Sequence, residues 1–208
     1  EPGEYYWRIA QFLMPFYTMP PQNILGLPTG PRAWVPMDDT HTMVFSVGAK
    51  GSQNWQPGAP VNPGLMAGTE QLPQTTDWFG RFRLAANASN DYKIDREAQR
   101  KMVQYTGIFG INLQDQAVTE SMGDVFDRSI EHLGTSDSMI IRVRRRLLNA
   151  ARSLRDHGLT PPGVDDPEAY RVRAGGVILP VDADWVEATK ELRKAYVEHQ
   201  GLDVAIGG

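Results

Sequence analysis

Few side chains in this chain could hold a metal or move a proton, and their spacing is restrictive. There are four histidines and no cysteine. His41, His132, His157 and His199 stand far apart, none three or four residues from another, so no helix face carries the imidazole pair of a self-contained metal site. Without thiols there are no disulfides, no thiolate zinc sites and no cysteine-ligated iron–sulfur cluster within the chain. No Ser-His-Asp constellation, phosphate loop or dinucleotide fingerprint occurs. One carboxylate stands out, Asp115, within the stretch GIFGINLQDQAVTESMGDVFDRSIEHLGTSDS from Gly107 to Ser138. Gly107 and Gly110 permit a tight turn, and a helix is expected just after them. From Gln114 onward Val118 and Met122 recur at helical spacing, which predicts Asp115 in the first turn, where a negative charge suits the helix dipole. That reading needs no chemistry.

The elements that must position this stretch follow from the pattern on either side. Tyr5 to Met14 is aromatic and apolar and predicts a strand. A terminus this hydrophobic is unusual, so further sequence is expected before Glu1 in the full protein. Pro15, Pro20, Pro21 and Pro28, with Gly26 and Gly30, predict a loop. Arg32 to Met37 and Thr40 to Val47 read as a hairpin turning at Asp38-Asp39, with His41 a hairpin histidine bonded to backbone. From Ala49 to Asp91 the chain is rich in Gly, Pro, Asn and Gln, with Trp55, Trp78, Phe79 and Phe82 as anchors. It reads either as a covering loop or as a pinned surface excursion, the Asn54 to Phe82 part being placed to cover a pocket mouth.

Asp95 to Tyr105 predicts a short exposed helix. Ser136 or Asp137 is placed to cap a longer one, with Ile140, Val143, Leu147, Ala151 and Leu154 as a core stripe and Gly158 as its end. Glu120, Asp127, Arg128 and Glu131 read as a surface ion network. Beyond Pro161, Gly176 to Pro180 predicts a strand, and Asp182 or Asp184 caps a last amphipathic helix through Trp185, Leu192, Tyr196 and Val197. The unaided reading is an α+β fold.

Composition narrows the partners. The net charge of −4 is spread along 208 residues, and acids elsewhere balance the arginines of the long helix, so no nucleic-acid partner is expected. No apolar run approaches the roughly 20 residues of a membrane span and the N-terminus has no secretion-signal pattern, so no membrane is expected and a cytoplasmic location is.

Several phrases occurring in order carry the reading further. They are Trp34-Val35-Pro36-Met37-Asp38-Asp39, Asn90-Asp91-Tyr92-Lys93-Ile94-Asp95-Arg96, Gly110-Ile111-Asn112-Leu113-Gln114-Asp115, Glu120-Ser121-Met122-Gly123, Asp127-Arg128-Ser129, Glu131-His132-Leu133-Gly134 and Arg144-Arg145-Arg146-Leu147-Leu148. Together they resemble the C-terminal catalytic half of the oxygenase subunit of Rieske non-haem iron aromatic-ring oxygenases, in the phthalate dioxygenase-like branch. The resemblance runs from Tyr5 to about Pro162, with a weaker echo in the tail.

The resemblance implies a helix-grip (START-like) antiparallel sheet wrapped around a long C-terminal helix, here incomplete. Residues 1–158 would be the C-terminal part of that domain and 159–208 an extension. It implies Fe(II) held by two histidines and one carboxylate, with Asp115 in Gln-Asp-x-x-Val-x-Glu as the carboxylate. The family's histidine pair and its Rieske [2Fe-2S] cluster both precede the matched region, and this sequence has neither. His132 follows the carboxylate and is not taken as a ligand.

Further implications are hydroxylation, dihydroxylation or oxidative demethylation of an aromatic compound, in particular an aromatic carboxylate. Electrons would come from a reductase or ferredoxin, with NAD(P)H acting only through the reductase, and the assembly would be a trimer. Asn112, Leu113, Thr119 and Met122, near the ligand on one helix, are candidates to touch substrate or simply to pack. With one ligand of three, the isolated chain is expected to be inactive. The alternative is a degenerate, non-catalytic helix-grip module binding a hydrophobic small molecule.

Overall fold

The computed structural model describes residues 3–22, 24–46 and 70–195. Trp55, Tyr196, Val197 and most of the expected covering loop lie outside these residues. The chain divides into two compact units, Glu1–Trp55 with His132–Gly208, and Gln56–Glu131. Helices and antiparallel strands both occur, as the α+β expectation requires.

In the first unit the apolar run at the start is two strands rather than one. β1 (Glu4–Ile9) pairs with β6 (Gly175–Pro180), from Glu4 opposite Pro180 to Ile9 opposite Gly175. After Ala10 the chain changes sheets, and β2 (Gln11–Leu13) joins a four-stranded antiparallel sheet in the order β2-β3-β4-β5. β3 (Tyr17–Met19) lies inside the stretch expected to be loop. Pro15 and Pro20 bracket it, and three residues suffice to pair with β2 and β4.

The expected hairpin is present as β4 (Arg32–Pro36) and β5 (Thr42–Ser46), with Trp34 opposite Val44. Its turn is closed by Asp38, whose Oδ1 accepts from the Thr40 and His41 amides at 2.8 and 2.7 Å. The His41 ring lies 3.0 Å from the same carboxylate, so its partner is this side chain as well as backbone. The Thr40 amide, and after it the His41 ring, hold the Asp38 carboxyl below the usual range.

The tail is stitched back onto these strands. Trp7 stacks on Trp185 at 5.4 Å, and the Arg193 guanidinium lies 5.9 Å from the Trp185 ring centre. Arg173 donates to the Gly26 carbonyl and, at 2.6 Å, to that of Ala195, while Thr29 donates to the Ala174 carbonyl at 2.9 Å. Ile9, Met19, Leu25, Ala33 and Ala174 are buried here. Each of the larger three contributes on the order of 1.5–3 kcal/mol. Asp184 caps the last short helix by accepting from the Val186 amide at 2.9 Å.

The long helix spans Ser138–His157, without Gly or Pro, and ends at Gly158 in the left-handed region, φ 65°. Asp137 stands at its N-cap but does not cap it; the carboxylate accepts instead from the Gly134 amide at 2.9 Å. The stripe residues share one face, as their spacing requires. None is buried, however, and Ile140 and Leu154 are 43% and 50% exposed, because no described element covers them.

The second unit contains a 3-10 turn at Ala88–Lys93, α1 (Arg96–Arg100) and α2 (Ile111–Glu120). The long helix is therefore α3 and the last short helix, Trp185–Ala188, is α4. Asp95 caps α1 through the Glu97 and Ala98 amides. Of the expected ion network the Arg128–Glu131 pair forms at 3.7 Å, while Asp127 caps a turn through Ser129 and Glu120 accepts from Gln116. Before α2, the Asp95 amide donates to the Gly107 carbonyl at 2.8 Å.

Gly107 has φ 71°, and a Cβ there would lie 2.8 Å from the Asp95 carbonyl oxygen. Gly158 has φ 65° with nothing within 4 Å. Gly107→Ala is therefore expected to cost ~2 kcal/mol or more and Gly158→Ala only ~1 kcal/mol. Urea unfolding of the two variants checks the order.

Candidate functional site

α2 begins three residues earlier than its apolar spacing suggested. Gly110, at φ 100°, stands at its N-cap without a side-chain bond, and the Gln114 amide donates to the Gly110 carbonyl at 3.1 Å. Asp115 therefore lies in the second turn, outside the reach of the first-turn dipole argument. Leu113 and Ala117, 4% and 9% exposed, are the buried residues of the helix and join Ala86, Tyr92 and Ile108 in one cluster, with Leu84 and Ile94 against it. Val118 and Met122 point away from that cluster, at 65% and 46% exposed.

Asp115 is two residues from both Leu113 and Ala117, about 200° around the helix at ~100° per residue. It therefore sits on the outer face, flanked by exposed Ile111, Val118 and Met122. Its carboxylate makes no hydrogen bond or ion pair among the described residues. Its carbonyl accepts from the Thr119 hydroxyl at 2.9 Å, and that hydroxyl also lies 3.1 Å from the Gln116 carbonyl. Of the candidates to touch substrate, Leu113 is in the core, Asn112 is half-buried, and Thr119 and Met122 are exposed on the outer side.

An exposed, unpartnered carboxylate on an apolar helix face has the chemistry of a hard-metal ligand, with its lone pairs unspent on the protein. It is one ligand only. Among the described residues no group of three His, Cys, Asp or Glu side chains is placed to hold a metal ion. Among the described residues this carboxylate is a single donor and does not by itself make a metal site. The clefts of the first unit are open grooves along α3, lined by Arg142, Arg145, Arg146 and Arg152, with no converging ligand set.

Residues 3–205 match the family described as LigXa C-terminal domain like. The chain belongs to this family. Over 193 residues it is 39% identical to the 3-chlorobenzoate-3,4-dioxygenase oxygenase subunit of Comamonas testosteroni, covering 89% of this chain and 45% of that subunit. It is also 31% identical over 185 residues to the phthalate 4,5-dioxygenase oxygenase subunit of Pseudomonas putida, covering 86% of this chain and 39% of the relative. The chain thus spans less than half the length of these curated relatives. The sequence resemblance to an aromatic-ring oxygenase subunit agrees with the family matched and with both relatives. Among the described residues no helix is long and apolar enough to cross a membrane.

One residue near α2 was not singled out from the sequence. Tyr92 is 7% exposed in the cluster beneath the helix; among the described residues its hydroxyl meets no partner in hydrogen-bond geometry, although the Glu120 carboxylate is near enough to act on it. The signal available was a lone tyrosine in the polar phrase Asn90 to Arg96. Burial, and after it the nearby Glu120 carboxylate, raise the Tyr92 phenol above its usual range. The fold thus favours the neutral phenol. That preference is fully present below about pH 10, the unfolded value, and is lost as pH rises through the higher folded one. In an ultraviolet titration one phenol should ionise after the exposed tyrosines, and Tyr92→Phe should remove that late step.

Proposed function

We propose that this chain is the C-terminal portion, 1–158 with an extension 159–208, of the helix-grip catalytic domain of a Rieske-type aromatic-ring oxygenase subunit. In the complete subunit the reaction is hydroxylation, dihydroxylation or O-demethylation of an aromatic compound. Both relatives are named for aromatic carboxylates, which favours that substrate class. The observation that carries the reading is Asp115, an exposed and unpartnered carboxylate on the apolar outer face of α2, in a chain of this family.

Asp115 supplies one anionic oxygen ligand, and two histidines from the rest of the subunit complete the set. A single carboxylate binds iron weakly, so the ligand set assembles only in the complete subunit. Fe(II) held there would supply the chemistry that activates dioxygen. The role of Asp115 is geometry and charge, with no proton to give. Ile111 and Val118, exposed on the same face of α2, offer apolar surface that suits an aromatic ring. Met122 and Thr119 are the outward candidates for substrate contact, Asn112 lies half in, and Leu113 acts through packing. A [2Fe-2S] cluster elsewhere in the subunit would supply electrons from a reductase or ferredoxin, with NAD(P)H acting only through the reductase. The assembly is a trimer or a multiple of one, and the location is cytoplasmic.

The exposed apolar side chains of Ile111 and Val118 on α2 also suit a second reading, a non-catalytic module that binds a hydrophobic small molecule. The sequence upstream separates the two: Cys-x-His and Cys-x-x-His motifs followed by a close histidine pair belong to the enzyme. In the full-length subunit Asp115→Ala should lose the mononuclear iron and retain the cluster, measured by metal analysis and the cluster's visible absorption. Unchanged iron content would refute the assignment. The isolated chain should retain no stoichiometric iron after dialysis and show no oxygenase activity.

A further inference from the structure

Tyr92 is a buried titratable group for which the chemistry above has no use, and it sits in unusual backbone. Asp91, Tyr92 and Lys93 have φ of 51°, 52° and 53° in succession. Side chains of L-residues avoid this region, and a run of three non-glycine residues there persists only where the surroundings hold it. The surroundings do. The Tyr92 amide donates to the Asn87 carbonyl at 2.9 Å, and Asn90 Nδ2 to the Ala85 carbonyl at 2.6 Å. Asp91 pairs with Arg96 at 2.8 Å and Lys93 with Glu70 at 2.7 Å. Both ion pairs are exposed and contribute little. The buried member of the turn is the Tyr92 side chain, which packs in the cluster containing Leu113 and Ala117.

This turn is also what α2 rests on. Within the second unit, the Ala88–Lys93 turn is the named element against which α2 makes its main contact. Leu113 and Ala117 are the inward face, and Asp115 lies opposite them on the same cylinder. A helix supported along one stripe can roll about its axis unless something fills the space beneath. A roll of about 20° carries a carboxylate about 5 Å from the axis through roughly 2 Å, comparable to the length of a metal–oxygen bond.

We infer that Tyr92 is a positioning residue for Asp115: its ring, fixed by the left-handed turn, sets the rotation of α2 and hence the direction of the carboxylate. The inference rests on the reading of Asp115 as an iron ligand. Nothing in it requires Tyr92 to touch the metal or the substrate. The ring acts through the helix.

The test compares Tyr92→Ala, Tyr92→Leu and Tyr92→Phe with Ile108→Ala in the full-length subunit. Ile108 belongs to the same cluster but lies outside both the turn and α2. The readouts are the rate at which a chelator removes Fe(II), the cluster content and the unfolding midpoint, all on the same samples. Tyr92→Ala should release iron about tenfold faster than wild type at normal cluster content, the size of effect seen for residues that orient a ligand. Tyr92→Phe, which keeps the ring, should follow the wild type, and Ile108→Ala should release iron slowly despite a comparable fall in midpoint. Tyr92→Leu keeps apolar volume and serves if the alanine variant does not fold; it should also release iron faster. Iron release that tracks the midpoint alike for the Tyr92 and Ile108 variants would overturn the inference. An Asp115→Ala arm separates the two claims: if that variant keeps its iron, the ligand assignment fails. If it loses iron while the Tyr92 and Ile108 variants behave alike, only the positioning role fails.

Discussion

The burial of Leu113 and Ala117 against Ala86, Tyr92 and Ile108 determines what the second unit can present to its surroundings. These three side chains hold the inner face of α2, and everything on the outer face is placed by that contact. The helix is ten residues long, too short to be stable on propensity alone, so tertiary packing must supply its stability. A carboxylate on such a helix is held by apolar contact on the far side, without a hydrogen bond of its own. Its oxygen lone pairs therefore remain free for a ligand.

Element type could be read from the sequence wherever local chemistry agreed with tertiary structure. The hairpin at Asp38, the α3 span with its end at Gly158, the β6 strand and the Asp184 cap follow from alternation, composition and turn residues. Sheet membership could not. Nothing local in Tyr5 to Met14 says that the chain leaves one sheet at Ala10 and enters another, because the pairing partners are β6 and β3, one of them far along the chain. β3 was hidden for a related reason: prolines dominate the local signal, while pairing decides the outcome.

For the candidate site, the sequence nominates a residue but does not give its setting. Asp115 came from its phrase and from the family resemblance. Periodicity picks out Val118 and Met122 because they are large and apolar, whereas the structure buries Leu113 and the small Ala117 and leaves the larger pair exposed. Spacing fixes which residues share a face but not which face is covered. Tyr92 was harder still, since its left-handed backbone has no glycine to announce it.

The open stripe of α3 has a consequence for handling the isolated polypeptide. Twenty helical residues carry apolar side chains such as Ile140 and Leu154 half in water, next to arginines that keep the surface wet. Sulfate or phosphate at high concentration raises the free energy of that exposed apolar area and screens the arginines together. Solubility of the segment should then be governed by the kind of salt as much as by its concentration, with weakly hydrated anions at low ionic strength the kinder medium for it.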